Sequence, residues 1–456
     1  MAKVKTVYVC QQCGYESIKW VGKCPSCGTW NSMIEEQKQN IKNKDNIKPK
    51  SIPKSIPKSI LNIKWNEYDR LDTGIMELNR VLGGGIVKGS VTLISGAPGI
   101  GKSTILLQTA QNVAEKYGKV LYVSGEESEE QIKMRGDRLK AISPNIYILS
   151  ETNIDSIKQH IDEVKPEFVI IDSIQTLFKD GISSAPGSVS QVRECSNDIM
   201  TMSKGENIPL FIVAHVTKQG ELAGPRVLEH MVDTVLSFEG ERTEEFRILR
   251  TMKNRFGTTS EIGVFEMNER GLLEINNPSR FFLEDIGLQK EGSTVIGIME
   301  GTRPILVEVQ ALASETKAFM PRRTSVGVDN ARLNLILAVL EKKLKMPFYN
   351  CDVYINVVGG LSIDGTFADL GLSLALISSI KSKEITLPNL LVIGEIGLTG
   401  EVRPVSFCDR IVNEGIKMGF KNIIIPARNK EKISIKNNDI NIIGVNSLKE
   451  TINKVF

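Results

Sequence analysis

The run Gly96, Ala97, Pro98, Gly99, Ile100, Gly101, Lys102 and Ser103 constrains this chain more than any other stretch. It carries the G-x-x-x-x-G-K-S spacing of a phosphate-binding loop. The β-branched run from Ser90 to Ser95 reads as the strand before it, and the apolar pattern from Ile105 to Lys116 reads as the helix after it. Strand, loop and helix in that order point to an α/β sheet whose loop holds an anion at a helix N-terminus. Glycines let successive backbone N–H groups turn inward on phosphate without Cβ clashes. Residues Gly96 to Thr104 are therefore expected to bind a nucleoside triphosphate. Lys102 is expected on its β- and γ-phosphates, and the Ser103 hydroxyl on Mg²⁺.

Other strand ends complete the expected site. Val120 to Ser124 reads as a buried strand ending on Gly125-Glu126-Glu127-Ser128. A carboxylate at that edge can orient the attacking water, which makes Glu126 the expected catalytic residue and Glu127 the reserve. The competing reading is a surface pair capping the next helix. Phe168-Val-Ile-Ile-Asp172 is an apolar strand ending in an acid, and Asp172 is expected to hold Mg²⁺ opposite Ser103. Leu210 to His215 reads as a further strand, with His215 either a γ-phosphate sensor or a plain polar group.

A chain of 456 residues has room for two or three domains around this core. The net charge of +3 excludes a general polycation, so any nucleic-acid surface must be a local patch. The N-terminal residues lack the apolar core of a signal peptide, and no apolar run reaches membrane-spanning length. A cytoplasmic protein is expected, in which the seven cysteines are ligands or buried thiols rather than disulfides.

Cys10, Cys13, Cys24 and Cys27 form two C-x-x-C knuckles, each followed by a glycine, Gly14 and Gly28, suited to turning backbone N–H groups toward thiolate sulfur. Four thiolates at this spacing suit a closed tetrahedral Zn²⁺ site, and so short a module needs metal in order to fold. A redox pair is the alternative, although such motifs occur singly beside a βαβ pattern. Lys19, Trp20, Lys23 and Trp30 either contact nucleic acid or pack the small core of this finger. From Glu35 to Lys64 the chain reads as a linker, with a Pro-Lys-Ser-Ile repeat from Pro49 to Ile60. Between Lys38 and Lys64 it holds eight lysines and one acid, Asp45. It is either a salt-sensitive tether for phosphates or a solvated spacer.

Two Gly/Ser/Pro-rich loops, Lys179 to Arg193 and Thr217 to Arg226, are candidates for contact with a DNA backbone through Lys179, Arg193, Lys218 and Arg226; ordinary exposed loops are the alternative. Lys253-Asn254-Arg255-Phe256-Gly257 follows the strand-like Phe246 to Met252. On a strand Lys253 and Arg255 project to one side, where they repel each other unless an anion lies between. Such a pair can act catalytically on a neighbouring protomer's γ-phosphate or grip DNA phosphate.

Together the four-cysteine finger, the loop G-A-P-G-I-G-K-S and the motif K-N-R-F-G resemble the RadA (Sms) family of bacterial DNA-repair proteins, over the whole chain. The segment from Leu71 to Ile86 is similar to the lead-in of RecA-like ATPases, a helix and a Gly-rich turn. The resemblance implies a zinc finger at residues 1–34, a basic linker at 35–64, a RecA-like P-loop ATPase at 65–280 and a Lon-protease-like α+β domain at 281–456. It implies ATP, Mg²⁺ and Zn²⁺ as cofactors and a hexameric ring on single-stranded and branched DNA. RecA is the implied partner and ATP-dependent branch migration the implied activity.

In the last domain, strands are expected at Thr294 to Gly301 and Ile305 to Leu312, and amphipathic helices at Ala331 to Leu344 and Ala368 to Ile380. Peptidases of the Lon type need a Ser nucleophile and a Lys base. Here Asp364-Gly-Thr-Phe-Ala-Asp369 puts Phe367 at the nucleophile position, and Ser406 to Arg410 holds no lysine. Ser362, Ser373 and Cys408 lie nearby without a matched base. A domain without peptidase activity, used for ring assembly, is the expectation. Three rival readings are an ATP-dependent protease, a KaiC-like scaffold, and an ATP-switched adaptor that loads other recombination proteins. The missing dyad opposes the first and the single phosphate loop opposes the second.

Overall fold

The computed structural model describes residues 4–12, 14–39, 59–62, 70–182, 184–215, 227–240, 246–283, 290–359, 361–363, 365–433 and 439–456. Cys13, most of the lysine-rich linker, the loop of Lys218 and Arg226, and Asp364 lie outside the described residues. The chain forms two units, Met1–Glu274 and Ile275–Phe456.

The first unit opens with an antiparallel ribbon of β1 (Val4–Cys10), β2 (Glu16–Ser17) and β3 (Met33–Gln39), in the order β2-β1-β3. Its buried centre is small: Cys10, Cys24 and Met33, with Tyr8 and Val21 against them. Further along, β4 (Arg70–Leu71) pairs with β5 (Ile86–Val87) around α1 (Met76–Leu82). Helix α1 ends where Gly83 turns left-handed at φ 79°.

A nine-stranded sheet follows, built from β6 (Val91–Gly96), β7 (Val120–Ser124), β8 (Ile146–Ser150), β9 (Phe168–Asp172), β10 (Leu210–His215), β11 (Thr234–Glu239), β12 (Phe246–Asn254), β13 (Ile262–Asn268) and β14 (Gly271–Glu274). The order is β14-β13-β12-β11-β6-β10-β9-β7-β8. Strands β6 to β11 run parallel, and β12 to β14 add an antiparallel edge. Helices α2 (Lys102–Lys116), α3 (Glu129–Leu139), α4 (Ile154–Val164), α5 (Val189–Glu206) and α6 (Val227–Met231) connect them.

Every residue of β6 and β7 is buried, because helices cover both faces of a parallel sheet. Alternate residues feed two cores. Ile94, Tyr122, Ile170 and Phe211 pack with α2 on one face, and Leu93, Leu121, Ile171 and Ile212 pack with α4 and α5 on the other. Parallel pairing brings the C-terminal ends of β6, β7, β9 and β10 to one edge, and the phosphate loop leaves β6 at that edge.

The second unit begins with α7 (Pro278–Phe282), β15 (Ser293–Glu300), β16 (Arg303–Glu315), β17 (Arg323–Val326), α8 (Asn330–Leu344), β18 (Cys351–Val357) and α9 (Asp369–Lys381). It continues with β19 (Leu390–Val392), β20 (Glu395–Ile396), β21 (Val402–Arg403), α10 (Cys408–Lys417), β22 (Asn422–Pro426), α11 (Ala427–Lys430), β23 (Asn441–Val445) and α12 (Leu448–Val455). The seven-stranded mixed sheet has the order β17-β18-β16-β15-β19-β22-β23, and β20 pairs with β21. Helix α9 departs from the amphipathic expectation, since it is buried from Asp369 through Ser379. It packs on β15 and β16 and meets β20 and α8 as well, so no face is left for water. Its first residue, Asp369, is buried and takes two bonds from the Arg332 guanidinium and one from the Ile396 N–H.

Phe211 on β10 meets Phe168 edge-to-face at 5.0 Å, and both rings are fully buried. Phe211→Ala is expected to cost about 3–5 kcal/mol. Urea unfolding followed in the ATPase core checks this, and an unchanged midpoint would contradict the packing.

Candidate functional site

The loop between β6 and α2 turns through Gly99 at φ 77° and Gly101 at φ 121°. At φ 121° Gly101 holds a backbone conformation that L side chains rarely adopt, and it lets the loop close against Met267 of β13 and Leu272 of β14. Helix α2 starts at Lys102 with its first N–H groups aimed at the loop's hollow. The Lys102 side chain is buried, and its ammonium donates to the carbonyls of Gly96 (2.7 Å) and Ala97 (3.0 Å). Burial pulls its pKa down to about 8, against the opposing pull of Asp172 and Glu126. A cation so desolvated is stabilised most by an anion brought beside it.

Asp172 is the meeting point of this edge. Its Oδ2 accepts from Ser103 Oγ at 2.6 Å and from the Tyr122 hydroxyl at 2.7 Å. Tyr122 is fully buried on β7, and its phenol pKa is pushed well up, first by burial and then by Asp172. A hydroxyl and a carboxylate in contact form an all-oxygen donor set, which fits a hard cation such as Mg²⁺. Glu126 accepts from Ser173 Oγ at 2.6 Å, and His215 Nε2 lies 3.3 Å from Glu126 Oε1. The chain turns closely here, since a Cβ on Gly125 would lie 1.9 Å from Thr176 Oγ1. Ser128, not either glutamate, caps α3 in a capping box with Gln131. Glu127 instead pairs with Arg135.

Lys102, Ser103, Glu126, Glu127, Asp172 and His215 line a cavity of about 690 Å³. A second hollow of about 490 Å³ opens beside Thr104 and is lined by Arg138, Leu139, Met267 and Gly271. Arg247 of β12, buried in its strand, also faces the larger cavity. Tyr122, Ser173, Arg135 and Arg247 were not singled out by sequence reasoning. Tyr122 could have been found as the residue of β7 that alternation aims at the face of Asp172. Arg247 carried no signal, because antiparallel pairing beyond the parallel core is what brings it there.

Lys253 and Arg255 are not brought to this cavity. Lys253 is level, through Val235, with Leu93 in the middle of β6, and Arg255 is level, through Asp233, with Val91 at its start, whereas the loop leaves from the other end. For Lys253 that separation is about 10 Å along the strands. The Lys253 ammonium donates to the carbonyls of Glu229 (2.7 Å), His230 (3.1 Å) and Val232 (2.8 Å). Arg255 pairs with Asp233 at 3.0 Å. The expected mutual repulsion is present, since burial first and Arg255 second depress the Lys253 pKa. Carbonyls and a carboxylate of the same chain offset it.

The loop after β9, one of the candidates for DNA contact, is bonded to α5. The buried Gln191 of α5 accepts from the Lys179 N–H and donates to the carbonyls of Ile182 (3.2 Å) and Ser184 (3.1 Å). The Lys179 ammonium pairs with Asp198 at 2.9 Å. Arg193 remains exposed.

In the ribbon the Sγ atoms of Cys10, Cys24 and Cys27 lie within 4.8 Å of one another. Gly14 and Gly28 donate their N–H groups to the carbonyls of Cys10 and Cys24, both at 2.9 Å, rather than to sulfur. Three thiols converging from two knuckles fit Zn²⁺, the most common ion of such sites. Trp20 and Trp30 do not pack the core; they are 55% and 68% exposed. In the second unit Phe367 is partly buried against the core, Ser373 is buried, and burial pushes the Cys408 thiol up to about 12. No helix among the described residues is long and apolar enough to cross a membrane.

A phosphate loop at the switch point of a doubly wound sheet, with a Ser–Asp pair and a carboxylate beside it, defines a P-loop ATPase of RecA-like architecture. Three family profiles match, described as rubredoxin metal binding domain at residues 8–35, AAA domain at 57–221 and subunit ChlI of Mg-chelatase at 323–429. Curated relatives bear the name DNA repair protein RadA. That of Halalkalibacterium halodurans is 52% identical over 453 residues, covering 99% of both chains. That of Bacillus subtilis is 50% identical over 456 residues, again covering 99% of each. That of Listeria monocytogenes is 48% identical over the full length of both. Among solved structures, a KaiC-like protein from Pyrococcus horikoshii covers 45% of this chain and 98% of its own, at 19% identity and a TM-score of 0.38. The chain belongs to the RadA family. ATP with Mg²⁺ is accordingly the ligand of the loop, and zinc that of the ribbon.

Cys24→Ser is expected to lower bound zinc from about one ion per chain to none. Plasma mass spectrometry of the purified protein measures this, and retained zinc would remove the ribbon assignment.

Proposed function

We propose that this protein is a DNA-dependent ATPase that moves along single-stranded DNA and drives branch migration of recombination intermediates. The observation that carries the ATPase part is the convergence of Lys102, Ser103, Asp172 and Glu126 on one cavity. Ser103 and Asp172 would hold Mg²⁺, which neutralises charge on the phosphates when bound. Lys102, released from the two loop carbonyls, would contact the β- and γ-phosphates. Glu126, steadied by Ser173, would orient a water for attack on the γ-phosphorus and accept its proton as the bond to ADP breaks. His215, beside Glu126, can report the state of that carboxylate. The hollow beside Thr104 would take the base. DNA as the second ligand is supported by the names of the relatives and by the lysine-rich linker.

The distance of Lys253 and Arg255 from their own loop supports a shared site. From that edge they can act on a nucleotide only in an adjacent copy, so turnover would depend on a ring, with six subunits the family expectation and RecA its expected partner. The second unit would serve ring assembly without peptidase chemistry, since Phe367 stands at the nucleophile position and the buried Cys408 thiol stays protonated.

ATP turnover with and without single-stranded DNA tests the proposal. DNA should raise wild-type turnover, and Lys102→Ala should abolish ATP binding. Glu126→Gln should retain ATP while losing about 10²–10⁴ in rate. Turnover indifferent to DNA, with no binding at low salt, would leave an ATP-switched adaptor in place of a motor. A mixing experiment tests the shared site separately. Arg255→Ala and Lys102→Ala subunits, each inactive alone, should recover turnover when mixed, and strictly independent subunits would give only the average of the two.

A further inference from the structure

The zinc ribbon carries an exposed aromatic surface that neither its metal nor its core explains. Trp20 and Trp30 are 55% and 68% exposed, and Ile18 beside them is 71% exposed. The two indoles converge over Gly22. A Cβ there would lie 3.6 Å from Trp20 Cη2 and 3.9 Å from Trp30 Cζ3, so the benzo ends of both rings meet above one glycine. The backbone holds this arrangement. Lys23 and Trp30 form an antiparallel bridge, and Asn31 N–H donates to the Gly22 carbonyl at 2.8 Å. On the Trp20 side Ser17 Oγ donates to the Lys19 carbonyl at 2.6 Å and accepts its N–H at 3.2 Å.

Charge flanks the rings on both sides. The Lys23 ammonium stands 5.6 Å from the centre of the Trp30 ring, and the Lys19 side chain is exposed next to Trp20. From Tyr15 to Trp30 the only acid is Glu16. Strand β3 then leads into the segment with eight lysines and a single acid. Two flat apolar faces bordered by ammonium groups, continuous in sequence with a polycationic segment, are complementary to a polyanion that presents flat rings. Unpaired nucleic acid has both features. A duplex keeps its bases stacked on each other and offers indoles only their edges.

We propose that the Trp20–Trp30 face of the zinc ribbon is a stacking platform for bases of single-stranded nucleic acid, with Lys19 and Lys23 on the flanking phosphates. The inference rests on the reading of single-stranded DNA as a ligand and assigns the ribbon a direct part in holding it. The metal's part is indirect: it ties the two knuckles whose loops carry the indoles.

The test uses the full chain and a fluorescently labelled oligo-dT, read by anisotropy, with zinc content measured on every variant. Trp20→Ala and Trp30→Ala should each weaken binding about 5- to 150-fold with zinc retained, and Trp→Phe at either position should restore most of it. An abasic oligonucleotide of equal length should bind wild type more weakly and barely distinguish it from the alanine variants. Lys19→Ala should instead reduce the salt dependence on both oligonucleotides. If wild type binds oligo-dT and the zinc-replete alanine variants bind it equally well, the platform is wrong and the face belongs to a protein partner. If wild type itself fails to bind, the proposed function falls first. Equal losses on oligo-dT and abasic DNA would also overturn stacking. Should an alanine variant lose its zinc, the comparison of the two oligonucleotides on wild type and Trp→Phe decides the matter.

Discussion

The ATPase unit turns on one carboxylate oxygen. Asp172 Oδ2 accepts from Ser103 at the head of α2 and from Tyr122 in the middle of the sheet's interior. Two donors converging on one acceptor hold the phosphate loop to β9 and β9 to β7, so three separate segments share one geometry. Buried polar groups that satisfy each other in this way are costly to break singly, because each loss leaves a desolvated partner behind. The loop cannot drift from the strand ends without giving up that arrangement. Lys102, bonded to two carbonyls of the loop, is held by the same logic until an anion offers a better partner.

Sheet direction divides the unit's labour. Parallel strands gather the loop, Glu126, Asp172 and His215 at their C-terminal ends, and the reversal at β11–β12 carries the chain back to the opposite edge before Lys253 and Arg255 appear. Arg247, at the near end of the same strand, faces the cavity instead. One strand therefore presents a cation at each edge of the sheet. At the far edge Asp233 ties the pieces together, accepting from Arg255 and from the Val91 N–H at 3.1 Å. Any movement of Arg255 is thereby linked to the first residue of the strand that ends in the phosphate loop.

Local patterns were legible where the chemistry is local. The loop, the strand ending in Asp172 and the paired knuckles each declare themselves within a few residues, since glycine spacing, apolar runs and cysteine pairs act on their own neighbours. The buried helix α9 was read as amphipathic from its periodicity, yet no face of it is left to water. In the structure Ser378 and Ser379 hold backbone groups of Gly292, Lys383 and Ala313. The loop from Lys179 was read from its glycines, serines and proline as a candidate for DNA contact, and a glutamine 12 residues further along the chain bonds it to α5. In both cases side-chain hydrogen bonds take up backbone groups of other segments, in the buried helix and in the partly exposed loop alike.

The amino-acid sequence alone determined that this chain holds a triphosphate-binding loop, a four-cysteine finger and a basic linker, because each depends on residue type at short spacing. It also determined the family, through motifs carried over the whole length. Only the tertiary structure decided which groups meet: that Tyr122 and Ser103 share Asp172, that Ser173 steadies Glu126, and that the indoles of Trp20 and Trp30 face outward. It also decided that Lys253 and Arg255 stand at the far edge from their own loop. Those facts depend on strand order and direction and on how a ribbon folds around its sulfurs, which bring together residues as distant in the chain as Val91 and Asp233 and send neighbours to opposite ends.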